Sequence, residues 1–164
     1  MQLRTLVPTA LAVAATAAVG GLANRSTGTG RGARSPWFAS LRKPPYQPPA
    51  AVFPIVWPVL YADLAVTSAA TLDELENRPE QRRRYLAALA VNLVLNGSWS
   101  WLFFNRGKLA TSAVAAGALA ISSADLTRRA AAVRGAKAAP LAAYPAWCAF
   151  ATVLSTHIWA LNRR

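Results

Sequence analysis

Polar and aromatic side chains set at helical spacing inside uncharged runs are the groups of this 164-residue chain that can do chemistry. Asn92, Asn96, Trp99 and Phe103 follow at steps of four, three and four, on one stripe of a helix. An Asn in hydrocarbon is costly unless hydrogen-bonded, so this stripe faces protein or a cavity. An interhelical hydrogen bond satisfies that demand as well as a ligand does. Phe53, Trp57 and Tyr61 share a second face, and Tyr144, Trp147, Phe150, Leu154 and Ile158 a third. Such faces offer area, stacking and a few hydrogen bonds. No nucleophile–base pair of the kind ordinary catalysis needs accompanies them. The lone Cys148 lies in an apolar run, where it reads as a packing residue. His157, the sole histidine, has no second His or Cys beside it and is not expected to bind metal. Asp63 is the one acid inside an apolar run, read either as a proton carrier or as a neutral acid hydrogen-bonded to a neighbouring helix.

The stretch Trp37–Tyr61 joins a stiff basic segment to one of these faces. It holds six of the chain's 11 prolines, two of its six tryptophans, and the cations Arg42 and Lys43. Proline fixes φ and turns the preceding residue away from helix, so Lys43–Pro49 is expected to be extended and non-helical. The segment 35–49 is thus read as a lid over a site or as part of an interfacial aromatic belt.

The elements that must position these groups are membrane spans. Residues 5–24, 44–62, 85–105, 109–124 and 138–162 contain no Asp, Glu, Lys or Arg. A spanning helix needs about 20 mostly apolar residues, and a soluble bundle would show a polar face on each helix that these runs lack. The expectation is an all-α integral membrane bundle of five transmembrane helices, near 3–23, 50–71, 85–104, 109–127 and 139–161, in one domain over 1–164. The first run exceeds the apolar core of a signal peptide, about 7–15 residues, and is read as a retained helix. The Gly- and Ser-rich segment after it reads as flexible. Pro54 and Pro58 are expected to bend the second span. The polar segments 71–84 and 128–138 read as surface connections, and Arg106–Lys108 as a short turn forcing antiparallel neighbours. The fourth span, rich in Ala, Ser and Gly, is expected to pack closely and to make a homodimer through Ala116, Gly117 and Ala120. The net charge of +12 sits at the ends of apolar runs, which points to lipid headgroups rather than nucleic acid. Nine cations fall on each side of the membrane, so the positive-inside rule assigns no orientation.

The order W-F-x-x-L-x-K-P-x-x-x-P-P-x-x-V-F-x-x-x-W-x-x-L-Y from Trp37 to Tyr61 resembles the signature of the TspO/MBR family of tryptophan-rich sensory and translocator proteins. Leu95–Phe104, L-N-G-S-W-S-W-L-F-F, is similar to that family's third-helix motif, and A-Y-P-A-W-C-A-F-A-T-V-L-S to its fifth. The likeness is collinear across residues 37–162. It implies a five-helix protein of the cell membrane, often dimeric, with a pocket opening toward the loop after the first helix. It implies porphyrins such as protoporphyrin IX, or haem, as ligands, and sterols or synthetic compounds for some members. By motif, Trp57, Asn96 and Trp147 match the pocket residues, and Trp37, Phe38, Pro44 and Pro49 match the lid. Phe38 stands where a tyrosine is usual, which removes a hydroxyl, and Ser155 stands where Asn is more common. Between Val153 and Arg163 there is no tyrosine for the sterol pattern of the animal members.

The resemblance and the residues together point to tetrapyrrole sensing, transport or regulation. Trp57, Tyr61, Trp99, Tyr144 and Trp147 supply aromatic area, and Arg42 and Lys43 at the mouth are partners for propionates. No cofactor is required; a porphyrin enters as ligand. Two other classes stay in view. One is a light-dependent porphyrin-degrading enzyme using Trp57 and Trp147, as some members of the family imply. The other is a small proton-coupled exporter using Asp63.

Overall fold

The computed structural model describes residues 2–24 and 35–163. The Gly- and Ser-rich run 25–34, expected to be flexible, lies outside the described residues. The elements are α1 (Leu3–Asn24), a one-turn helix α2 (Pro36–Ser40), α3 (Phe53–Glu74), α4 (Pro79–Ser100), α5 (Leu109–Arg134) and α6 (Ala143–Asn162). α4 continues as a π-helical turn, Trp101–Asn105, and a 3-10 stretch, Gly135–Ala142, leads into α6. There is no strand among the described residues. α1, α3 and α4 are each long and apolar enough to cross a bilayer. The final apolar stretch, Leu109–Asn162, folds back on itself as α5 and α6. The chain is a multi-pass integral membrane protein built from five long helices.

Two of the expected connections are largely helix. α3 runs on to Glu74 and α4 begins at Pro79, so only residues 75–78 connect them. Pro79 loses nothing by lacking an N–H in the first turn, and Glu80 suits the positive end of the helix dipole. Glu80 also meets Arg83 and Arg84, three and four residues on, at 2.8 and 2.9 Å. The run 128–138 is corrected in the same way. Asp125 pairs with Arg128 and Arg129 on one face of α5, which continues to Arg134. Gly135, at φ 57°, ends it in a conformation that side chains rarely adopt. Absence of charge marks what lies in lipid, whereas helices extend past that boundary on paired charges. At the other end of α5, Gly107 at φ 62° makes the tight turn after α4.

α1 packs between α3 and α4, α5 lies against α4 and α6, and α3 closes the bundle against α5 and α6. The inner face of α1 is Thr5, Thr9, Val13 and Thr16, all buried. Thr9 and Thr16 return their hydroxyls to carbonyls four residues back, so the face is polar in composition yet satisfied. Gly20 continues it, and a Cβ there would come within 3.3 Å of Ser100 Oγ. Gln2 and Arg4 tie the start of α1 to Glu76 beyond the end of α3. The small-residue face of α5 is used inside the protomer. Ala116 is 3% exposed, Ala120 packs on the core, and a Cβ on Gly117 would lie 3.6 Å from Thr152 of α6. Hydrophobicity cannot bring helices together in lipid, and the small side chain at 117 lets α5 and α6 approach within the protomer.

Candidate functional site

Three spanning helices and the lid bring their aromatic faces together at one end of the bundle. On α3 the Trp57 and Tyr61 rings stack with centroids 5.4 Å apart. Trp57 meets Trp99 of α4 at 6.3 Å, and Trp99 stacks on Phe103 at 5.8 Å. The π-helical turn matters here. It holds an extra residue per turn, and the consecutive Phe103 and Phe104 both contact Trp99 and Phe38. A second row joins α3 to α6: Phe53 to Trp147 at 6.0 Å and Trp147 to Phe150 at 5.4 Å. Trp57 and Trp147 thus belong to adjacent rows, linked through Phe53 one turn from Trp57.

The lid is locally built and firmly seated. Ser35 caps α2 by accepting from the Phe38 N–H at 3.1 Å, with Pro36 opening the helix. This turn directs Trp37 and Phe38 onto Phe103, at 6.2 Å each. Beyond it residues 41–49 are non-helical, as the prolines dictate, and Pro44 is buried. Lys43 Nζ sits 4.7 Å from the Phe38 ring centroid and donates to the carbonyls of Ala39 and Leu41. Asn162, at the end of α6, clamps the lid through both sides of one residue. Its Oδ1 accepts from the Arg42 N–H at 2.9 Å and its Nδ2 donates to the Arg42 carbonyl at 2.8 Å. Tyr46 adds a third tie, its hydroxyl 2.9 Å from His157 Nδ1 and its ring 6.4 Å from Phe150.

Beneath the rings lies a polar chain crossing four helices. Tyr61 donates to Asn96 Oδ1 at 2.7 Å, and Asn96 Nδ2 donates to the Tyr144 hydroxyl at 3.1 Å. Tyr144 donates in turn to Asn92 Oδ1 at 2.8 Å, and Asn92 Nδ2 reaches Ser122 of α5 at 3.3 Å. Asn92, Asn96 and Tyr144 are at most 1% exposed. The demand that a buried Asn find partners is met here by neighbouring helices. Asp63 lies half-buried in α3 and accepts from Thr67 Oγ1 at 2.9 Å, one turn along its own helix.

The structure therefore brings Trp37, Phe38, Trp57, Tyr61 and Trp99 into one aromatic row. It sets Trp147 in the neighbouring row, with Tyr144 and Asn96 in the polar floor and Pro44, Arg42 and Lys43 in the lid. Reasoning from sequence left out Phe104, Asn92, Tyr46 and Asn162 as parts of the site. Asn92 and Asn96 share a stripe, so that signal was present. Phe104 is off the stripe and enters only through the π turn. The pairing of Asn162 with Arg42, across 120 positions, has no local signal.

Charge is distributed unevenly about the site. Five of the six acids lie toward the end opposite the lid, and the sixth is Asp63 within α3. The ion pairs from Arg4–Glu76 to Arg134–Glu74 likewise lie there, on Glu74, Glu76, Glu80 and Asp125. The lid end presents Arg42, Lys43, Arg106, Lys108 and Arg163 with no acid among them. Outside the aromatic site, a groove of about 750 Å³ runs between α1 and α4, past Ala12, Thr16, Gly97 and Trp101.

Fold and site define a polytopic helical membrane protein with an aromatic, lid-covered site at one membrane face. The chain belongs to the TspO/MBR family, which matches it over residues 9–160. A translocator protein of Ovis aries is 32% identical over 136 residues, 81% of this chain and 79% of that protein. The translocator protein of Bos taurus is 30% identical over 148 residues, 88% and 85% of the two chains. The tryptophan-rich protein TspO of Bacillus cereus is 26% identical over 126 residues, 77% and 80%.

Proposed function

We propose that the protein binds a tetrapyrrole, a porphyrin or haem, among the aromatic rows beneath the lid and acts in its sensing, transport or regulation. The observation that carries this reading is the convergence of aromatic faces from α3, α4 and α6 under a lid whose rim is cationic and free of acids. A flat π system gains buried area and about 0.5–1.5 kcal/mol of stacking per ring pair. Propionates find Arg42, Lys43 and their neighbours at the rim, as partners for charge-assisted hydrogen bonds. The name translocator, carried by two of the relatives, agrees with a transport role. Titration of protoporphyrin IX against the protein in nanodiscs, followed by tryptophan quenching, tests it. Saturable quenching weakened by Trp57→Ala and by Trp147→Ala is expected. Quenching that both variants leave unchanged overturns the reading, and quenching that never saturates overturns it for closed porphyrins.

A further inference from the structure

We infer that the indole N–H of Trp99 is the donor kept for the ligand, and that the site favours open-chain tetrapyrroles over closed macrocycles. The inference rests on the tetrapyrrole reading above and narrows its substrate class. Trp99 Nε1 is buried and has no hydrogen-bond partner among the described residues. Buried tryptophans ordinarily find one, and a donor left unpaired within a membrane span is costly. Its ring neighbours are Trp57, Phe103 and Phe104, and none is paired with it. The polar groups one turn away are already engaged. Both ends of the Asn96 amide are bonded, the Tyr61 hydroxyl donates to it, and the Tyr144 hydroxyl both donates and accepts. Asn96 thus holds helices together, and the free donor stands three residues farther along α4. Where the cluster needs area alone it uses phenylalanine, at positions 38, 103 and 104.

Depth then specifies where the ligand's acceptor must lie. Trp99 precedes the cationic turn at Arg106 by seven residues, about 10 Å at helical rise. That is roughly the distance across one tetrapyrrole. A ligand with its carboxylates at the rim therefore needs a carbonyl on the opposite edge to reach Trp99. A closed protoporphyrin carries only methyl and vinyl groups on that edge. An open-chain tetrapyrrole has its two terminal lactam carbonyls there, opposite the propionates, and so satisfies both ends of the site.

Biliverdin and protoporphyrin IX are titrated against the full-length protein and its Trp99→Phe variant in nanodiscs, each followed by the pigment's own absorbance. Biliverdin is expected to bind more tightly than protoporphyrin. Both pigments should lose the stacking area of the indole in Trp99→Phe, and biliverdin should lose about tenfold more than protoporphyrin, the effect of one hydrogen bond. Equal loss for both pigments, or no loss for either, overturns the role of Trp99 while the tetrapyrrole reading stands. Binding of biliverdin alone supports the inference and removes the closed ring from the proposed ligands. Saturable binding of neither pigment overturns both.

Discussion

Tyr144→Phe removes one oxygen from the centre of the bundle and tests whether the polar floor holds the helices together. The hydroxyl donates to Asn92 at 2.8 Å and accepts from Asn96 at 3.1 Å, so its loss strands Asn92 Oδ1 and Asn96 Nδ2. Both amides are at most 1% exposed, and water does not replace the lost partner. Stranding a buried polar group costs about 1–3 kcal/mol in soluble proteins, or roughly 2–6 for the pair. In bilayers, interhelical hydrogen bonds average about 0.6 and reach about 1.7 kcal/mol, because separated helices find other partners. Two such bonds give about 1–3 kcal/mol, and the lower calibration applies, since α4 and α6 stay in the membrane when they part. The assay is SDS-driven unfolding in mixed micelles, followed by tryptophan fluorescence, with Tyr46→Phe as a lid-side control. In a cycle with Asn92→Leu the two losses should be strongly non-additive, because the second substitution removes the acceptor that the first strands. A loss below about 0.5 kcal/mol, or full additivity in that cycle, refutes the network as a structural tie.

Asn162→Ala breaks both bonds to Arg42 and should loosen the lid by about 1–3 kcal/mol, seen as faster hydrogen exchange over residues 36–46 with the exchange of α3 unchanged. Trp57→Ala and Trp147→Ala should each weaken porphyrin binding by at least about 1 kcal/mol, and Trp159→Ala, near the end of α6, by much less; equal losses from all three would place the ligand elsewhere. Arg106→Gln with Lys108→Gln should flatten the salt dependence of porphyrin association rates, since these cations lie on the acid-free end. Asp63→Asn keeps an acceptor for Thr67 and should leave folding intact; a proton flux lost in that variant would instead establish Asp63 as a carrier.

Local sequence determined the spans, the lid and the aromatic faces, because each depends on nearest neighbours. Uncharged runs of bilayer length become helices, since every backbone group there must be bonded within its own segment. Prolines 44, 45, 48 and 49 keep the lid out of helix whatever it packs against. Steps of three and four residues place Trp57 with Tyr61 and Asn96 with Trp99. What the tertiary structure decided is which partner each face meets. Asn96 looked equally suited to a ligand or a neighbouring helix, and the approach of Tyr61 and Tyr144 engages both ends of its amide. The small residues of α5 suited any close helix, and at Gly117 it is Thr152 of α6 that comes near. Helix ends beyond the apolar runs were set by ion pairs such as Glu80 with Arg84 and by Gly135, short-range features that a search for lipid-crossing length passes over. The π turn that brings in Phe104, the clamp from Asn162 to Arg42 and the unpaired N–H of Trp99 exist only once the helices are docked. They are consequences of separation in space, which spacing along the chain does not encode.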